Sequence, residues 1–176
     1  MIEGARVIPV LAVESADAAE RTCRDLLARG LSTVEITFRT DAAVDAIRRL
    51  AAIDGLTVGA GTVLTVEQLQ AAAGAGAQFA VAPTTNPDVV AAARRASLEF
   101  VPGAATPTEI DRARSLGCRV IKLFPAAALG GPSFVRAVGA VFPDVKYIPT
   151  GGITAETVDA YLAVPSVLAC GGTWLG

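Results

Sequence analysis

Lys122 is the residue of this 176-residue chain whose setting most directly suggests chemistry. It is one of only two lysines, and it lies within the apolar run Arg-Val-Ile-Lys-Leu-Phe-Pro at positions 119–125. Because an ionised amine is costly to bury alone, such a lysine pairs with a carboxylate, extends to solvent from a strand end, or loses its proton. A neutral amine can attack a ketone and form a Schiff base. The run predicts a catalytic lysine, with the ion pair and the exposed strand end as alternatives.

A second group of chemically suited residues lies in the segment Val-Glu-Ile-Thr-Phe-Arg-Thr at positions 34–40. Glu35, Thr37 and Arg39 are spaced two residues apart, so they face the same side of a regular strand. One interpretation is a buried ion pair between Glu35 and Arg39. If the amine of Lys122 lies nearby, Glu35 is suited to general acid/base catalysis, and the planar guanidinium of Arg39 is suited to holding a substrate carboxylate.

Three glycine-containing segments complete the candidate site. Gly-Ala-Gly-Thr at 59–62 is either a tight strand-to-helix turn or a place where small residues admit a ligand and Thr62 offers a hydroxyl. Pro-Thr-Gly-Gly at 149–152 and Cys-Gly-Gly-Thr at 170–173 each follow an apolar run. Because glycine turns expose backbone amides beside hydroxyls, these two segments predict a site for phosphate or another anion.

The composition excludes several mechanisms and partners. The chain contains no histidine, so Ser-His-Asp catalysis, Cys-His catalysis and His-ligated metals are ruled out. A formal net charge of −2 without a basic cluster argues against nucleic acid and anionic membranes as partners. We find no signal-peptide pattern and no apolar stretch of membrane-spanning length. The three isolated cysteines indicate a reduced, cytoplasmic setting.

Short β-branched runs alternate along the chain with segments of helical periodicity. The predicted strands are 7–13, 33–38, 57–61, 78–82, 98–102, 119–124, 146–150 and 167–171. The predicted helices include 17–29, 42–52, 66–73 and 88–96. Capping boxes at Thr65 and Thr106 and a proline after Asn86 mark helix starts, and Gly74 and Gly76 are among the glycines that mark helix ends.

Strands that are apolar on both faces and joined by helices form a parallel sheet, and eight such units predict an α/β fold, the TIM (β/α)8 barrel. The competing architecture is an open doubly wound sheet. The barrel is favoured because no glycine fingerprint follows the first strand and polar residues gather at many strand ends. We expect one domain over 1–176 that lacks the final helix of the barrel. In a barrel the strand C-termini meet at one mouth, which would bring the candidate residues together.

The motifs at 35–40, 59–64, 122–125 with the following Gly130-Gly131, 150–153 and 171–174 occur in an order that resembles one enzyme family. That family is the 2-keto-3-deoxy-6-phosphogluconate (KDPG) / 4-hydroxy-2-oxoglutarate (KHG) aldolases, and the resemblance covers nearly the whole chain. It implies a class I (Schiff-base) aldolase, a lyase that uses neither a metal nor an organic cofactor. It also implies a cytoplasmic homotrimer that acts on a small phosphorylated 2-keto acid in the Entner-Doudoroff pathway.

The resemblance further implies a substrate and residue roles. KDPG would be cleaved to pyruvate and glyceraldehyde 3-phosphate, or 4-hydroxy-2-oxoglutarate to pyruvate and glyoxylate. Lys122 matches the Schiff-base lysine, and Glu35 matches the general acid/base. The matching substrate-binding residues are Arg39 and Thr62 at the pyruvate carboxylate, Pro83 and Phe124 along the pocket, and Thr150, Gly151, Gly152 and Thr173 at the phosphate end.

Two departures and two rival functions accompany the resemblance. Ala127 stands where some family members carry glutamate, and Thr173 stands where serine is more familiar, although the hydroxyl is retained. One rival is a phosphate-binding isomerase or epimerase on the same barrel, with Glu35 as base and Lys122 as an electrostatic partner only. The other rival is a catalytically silent oligomeric scaffold.

Overall fold

The structure, a computed structural model, describes residues 4–175. Strands and helices alternate along this part of the chain, which confirms the predicted α/β class. The strands are β1 (Val7–Leu11), β2 (Thr33–Thr37), β3 (Thr57–Gly61), β4 (Phe79–Val81), β5 (Glu99–Val101), β6 (Gly103–Ala104), β7 (Val120–Leu123), β8 (Lys146–Pro149) and β9 (Cys170–Gly172). The helices are α1 (Ala16–Ala28), α2 (Ala43–Leu50), α3 (Val66–Gly74), α4 (Pro87–Arg95), α5 (Pro107–Ser115), α6 (Gly131–Val141) and α7 (Val158–Leu162).

The strands follow one another in sequence order around a ring. One parallel sheet has the order β5-β4-β3-β2-β1-β9, and a second has the order β6-β7-β8. The chain passes from β5 to β6 through Pro102, and bridges from Tyr147 and Thr150 join β8 to the β9 segment. The fifth strand, predicted as 98–102, reaches Ala104, and it is interrupted at Pro102 because proline has no amide to donate. The result is the predicted barrel of eight strand positions.

Local sequence signals position the helices around this ring. Thr65 and Thr106 begin α3 and α5 with the predicted capping boxes, and the Asn86 side chain caps α4. Gly76 adopts a φ of +92° just after α3, a conformation that favours glycine. Gly74 is the last residue of α3, so the helix ends where the sequence predicted.

An apolar layer fills the barrel below its mouth. Its buried side chains are Ile8, Phe79, Val81, Val101, Ile148 and Ala169. Each large apolar side chain buried in this way contributes about 1.5–3 kcal/mol. Ile8 and Ile148 come two residues before Val10 and Thr150, which line the mouth. The layer therefore closes the barrel with apolar side chains below the polar residues at the strand C-termini.

Within the described residues 173–175, no helix follows β9. A search of residues 4–175 finds no helix with the length and apolar character needed to cross a membrane.

Candidate active site

A cavity of about 290 Å³ opens at the C-terminal ends of the strands. Its lining residues are Val10, Glu35, Thr37, Arg39, Thr62, Pro83, Lys122, Phe124, Thr150, Gly151, Gly152, Ile153, Gly172 and Thr173. All ten predicted site residues are in this set. They come from segments that are far apart in sequence, so closure of the barrel is what brings them together. Their individual roles stay predictions.

Lys122 and Glu35 meet at the base of the cavity from opposite sides of the barrel. Lys122 lies on β7 and Glu35 on β2, and Lys122 Nζ is 3.4 Å from Glu35 Oε1. Their side chains are only 6% and 5% exposed, so the alternative of a lysine reaching solvent is wrong. Among the ion pairs of residues 4–175, Glu35 pairs with Lys122 and not with Arg39. The structure thus places a buried amine beside a buried carboxylate.

Thr37 and Arg39 occupy different depths of the same wall. β2 ends at Thr37, so Arg39 lies in the turn beyond the strand and is exposed at the rim. Thr37 is buried, and its hydroxyl donates to the carbonyl of Leu11 at 3.0 Å. Because the hydroxyl proton is already used in this hydrogen bond, Thr37 Oγ1 can only accept a further one. Arg39 contributes positive charge and a planar set of donors, which suits a carboxylate.

Thr62 enters the cavity through an unusual backbone conformation. Its φ is +58°, in the left-handed region that β-branched residues rarely adopt. Such a conformation costs about 1–3 kcal/mol and persists only where the surroundings enforce it. Here the backbone of the next residue is held in place, because the amide of Val63 donates to the carbonyl of Val81 at 3.1 Å. The hydroxyl of Thr62 is therefore held at the cavity edge at a cost to stability.

Phe124 forms a partly exposed wall above the lysine. Its ring centroid is 5.7 Å from Lys122 Nζ, within the range of a cation–π contact. Gly151 lies against the same ring: a β-carbon on Gly151 would come within 3.1 Å of it. Gly151 also has a φ of +97°. Conformation and space both require glycine at this position.

The turn after β8 presents a consecutive pair of glycines to the cavity. Gly151 and Gly152 both have positive φ. The amide of Ala126 donates to the Thr150 carbonyl at 2.8 Å, and the amide of Ala127 donates to the Gly151 carbonyl at 3.0 Å. These bonds occupy two carbonyl oxygens of the turn, and the Thr150 amide donates to the Leu123 carbonyl at 2.9 Å. The amides of Gly151 and Gly152 are the groups of the turn that suit an anion.

Three lining residues, Val10, Thr37 and Ile153, were not assigned a role from the sequence. Thr37 was recognised as facing Glu35, and the spacing of two was a sufficient signal. Val10 is aligned with Glu35 across the β1–β2 pair, which only the strand register reveals. Ile153 directly follows the predicted glycine turn at 149–152, so proximity in sequence could have indicated it. Gly172 also lines the cavity and lies within the predicted segment 170–173.

One of the two interpretations of the 59–62 segment is wrong. Gly59 and Gly61 do not leave space for a ligand, because only Thr62 of this segment lines the cavity. The space beside Gly59 is taken by the ring of Phe79, and the space beside Gly61 by the carboxylate of Glu35. The small residues accommodate the protein's own side chains.

Cys170 lies on β9, two residues before the cavity-lining Gly172. Burial raises the pKa of its thiol to about 12, so this group stays protonated at neutral pH. Because the thiolate is the reactive form, Cys170 is a poor nucleophile. Within residues 4–175, no group of three or more His, Cys, Asp or Glu side chains could hold a metal ion.

The fold and the site together define a class of protein: a (β/α)8 barrel with a buried lysine–carboxylate pair at the base of its mouth. The family model described as "Aldolase: KDPG and KHG aldolase" matches residues 1–176. The chain therefore belongs to the KDPG and KHG aldolase family, whose members are lyases, as the sequence motifs predicted.

Individual relatives agree with this assignment. The chain is 46% identical over 176 residues to the 2-dehydro-3-deoxy-phosphogluconate aldolase of Treponema pallidum, covering 99% of this chain and 83% of the relative. It is 36% identical to the Zymomonas mobilis KDPG aldolase solved with 3-phosphoglycerate, at a TM-score of 0.95 and with 98% and 83% of the two chains covered. It is 34% identical to the Legionella pneumophila KDPG aldolase, solved with pyruvate captured at low pH as a covalent carbinolamine intermediate. That structure has a TM-score of 0.94, with 98% and 84% covered.

Proposed function

We propose that this chain is a class I aldolase that cleaves KDPG to pyruvate and glyceraldehyde 3-phosphate through an imine on Lys122. The observation that carries the proposal is the buried contact of 3.4 Å between Lys122 Nζ and Glu35 Oε1 at the base of an open cavity. Family membership supports the substrate, and the carbinolamine of the Legionella relative supports covalent chemistry. The family description also supports KHG, which would give pyruvate and glyoxylate.

The first stage forms the imine. Lys122 transfers a proton to Glu35, and the neutral amine attacks C2 of the keto acid to form a C–N bond. Glu35 returns a proton to the former carbonyl oxygen, which gives a carbinolamine, and then assists the loss of that oxygen as water. Because Glu35 lies beside the nitrogen, one carboxyl group can serve these successive transfers.

The second stage breaks the C3–C4 bond. The C4 hydroxyl gives its proton to Glu35, the aldehyde leaves, and the bonding electron pair moves into the iminium to form an enamine. Protonation of C3 by Glu35 regenerates the iminium, and hydrolysis releases pyruvate and Lys122. Because the iminium accepts the electron pair, these steps use no metal or organic cofactor.

The two ends of the cavity suit the two ends of KDPG. Arg39 and Thr62 would hold the carboxylate that becomes pyruvate, with Pro83 and Phe124 enclosing the reacting carbons. The phosphate end would be bound by Thr150, Gly151, Gly152 and Thr173 through amides and hydroxyls. Arg39 would then meet the carboxylate and the glycine turns would meet the phosphate, which favours a substrate with an anion at each end.

Intact mass after incubation with pyruvate and borohydride tests the imine. We expect a reduced pyruvyl adduct that peptide mapping confines to Lys122. Lys122→Ala should abolish the adduct, and Lys146→Ala, which removes the other lysine, should leave it unchanged. A folded wild-type protein without an adduct would overturn the aldolase mechanism and favour an epimerase or a scaffold.

We propose that 1–176 acts as a single barrel domain, which the match of the family model over that range supports. The family resemblance supports a homotrimer and a cytoplasmic location. Sedimentation of the purified protein tests the trimer, and fractionation of the source cells tests the location.

A further inference from the structure

Gly61, the last residue of β3, adjoins the carboxylate of Glu35 without lining the cavity. A β-carbon built on Gly61 would collide with Glu35, and its three nearest atoms would be Oε1, Cγ and Cδ of that side chain. The three tightest contacts therefore all belong to one side chain. The carboxyl group occupies the notch that the missing side chain leaves on β3.

The strand register explains how Glu35 reaches this notch. Glu35 on β2 is aligned with Gly59 on β3, and Gly61 is aligned with Thr37. The space beside Gly59 is already filled by the ring of Phe79. The Glu35 side chain thus extends along the strand direction toward the mouth, two residues beyond its own partner, where Lys122 Nζ lies 3.4 Å away.

We propose that Gly61 is a positioning residue, whose lack of a side chain lets the Glu35 carboxylate lie against β3 and within reach of Lys122. The kinetic consequence rests on the proposed function, in which Glu35 transfers protons. Gly61 does not have a positive φ, so its backbone conformation is open to alanine. Its carbonyl, which accepts from the Phe38 amide at 2.8 Å, would be unaffected. The cost of Gly61→Ala is therefore displacement of a flexible carboxylate.

The direct test is Gly61→Ala compared with Gly74→Ala. Gly74 is also the last residue of its element, and a β-carbon there meets nothing within 4 Å. We expect Gly61→Ala to lower kcat by about 10- to 100-fold, part of what a general acid/base contributes, with KM changed less than kcat. Gly74→Ala should keep kcat within about twofold, since no active-site group moves. Wild-type kcat in Gly61→Ala would overturn the proposal.

A double-mutant cycle separates positioning from general damage. In a Glu35→Gln background the proton transfer is already lost, so adding Gly61→Ala should change kcat by less than about twofold. An equal fold loss in both backgrounds would mean that Gly61 acts independently of Glu35 and would overturn the proposal. Exchange of pyruvate methyl protons in D₂O, followed by proton NMR, provides a second readout. We expect this proton exchange to be slower in Gly61→Ala than in the wild type, while borohydride still traps the imine.

A folding control keeps the test decisive. Glu35→Ala removes the colliding carboxylate, so Glu35→Ala/Gly61→Ala should have the same Tm as Glu35→Ala, even if Gly61→Ala alone unfolds. A lower Tm in the double variant would show that the β-carbon meets something other than Glu35. A wild-type protein with no pyruvyl adduct would instead remove the proposed function, and this comparison of Tm values would still test the contact.

Discussion

The two lysines of the chain lie on neighbouring strands and have opposite environments. Lys146 begins β8 and is exposed, and its Nζ donates to the Pro165 carbonyl at 3.1 Å. Lys122 on β7 is buried, and its amine contacts Glu35 and lies over the ring of Phe124. The same side chain therefore serves as a solvated charge on one strand and as a candidate nucleophile on the next.

The strand register gives the reason for the difference. Lys146 is aligned with Val120, at the start of β7, whereas Lys122 is aligned with Ile148, two residues further toward the mouth. At the start of these two strands, the amine of Lys146 reaches water. Two residues further along, the amine of Lys122 points into the lumen, where β2 supplies a carboxylate. The position of each lysine along its strand therefore decides whether its amine is solvated or buried.

The largest expected difference between the two lysines is in kcat when each is replaced by arginine. Lys122→Arg keeps a cation beside Glu35 but cannot supply a neutral amine, because guanidinium stays protonated in proteins. We expect kcat for KDPG cleavage to fall by more than about 10³-fold, as when a covalent nucleophile is lost. Lys146→Arg should retain wild-type kcat. Pyruvate release coupled to lactate dehydrogenase measures both, and an active Lys122→Arg variant would make Lys122 an electrostatic partner only.

Removal of each charge should separate the two lysines in stability as well. Lys122→Met leaves the Glu35 carboxylate buried without a cation, which costs about 3–5 kcal/mol of unfolding free energy. Lys146→Met removes an exposed amine and should cost far less. Urea unfolding followed by circular dichroism measures both changes. Adding Glu35→Gln to Lys122→Met should recover part of the loss, and failure to recover any would contradict a charge-pairing origin.

A smaller effect is expected from relieving backbone strain, and it should differ between the cavity mouth and the rest of the chain. Thr62 and Ser97 are the non-glycine residues with positive φ in the described chain, and only Thr62 lines the cavity. Ser97→Gly should raise the unfolding free energy by up to about 1 kcal/mol and leave kinetics unchanged. Thr62→Gly should relieve similar strain but raise KM by about tenfold, because a hydrogen bond to a charged carboxylate is lost. An unchanged KM would remove Thr62 from substrate binding.

The smallest expected effect concerns two cysteines that also differ in environment. Burial raises the pKa of the Cys23 thiol to about 11, well above its ordinary value of 9.0. The folded state therefore holds this proton more tightly than the unfolded state, so the stabilising contribution is complete below pH 9 and is lost as pH rises toward 11. Cys23→Ala should flatten the loss of stability across that range. The half-buried Cys118 should react first with a thiol reagent at pH 8, and faster labelling of Cys23 would contradict the burial argument.

The local elements were largely predictable from the sequence, because their signals are short-range. The capping boxes at Thr65 and Thr106 and the β-branched runs depend on residues within a few positions of one another. The division of the fifth strand at Pro102 was missed, although proline itself provides the reason. The partner of Glu35 was left open between Arg39 and Lys122, because Arg39 shares a face with Glu35 on a regular strand and only barrel closure brings in Lys122.

The sequence by itself determined the alternating α/β pattern, the lack of histidine chemistry, and the residue types available at the strand ends. These properties follow from composition and from contacts between residues that are near one another in the chain. The tertiary structure decided that Lys122 meets Glu35, that Arg39 lies at the rim, and that Gly61 holds space for a carboxylate and not for a ligand. Those outcomes depend on the register of paired strands and on side-chain volumes across the lumen, which are non-local quantities that no single segment contains.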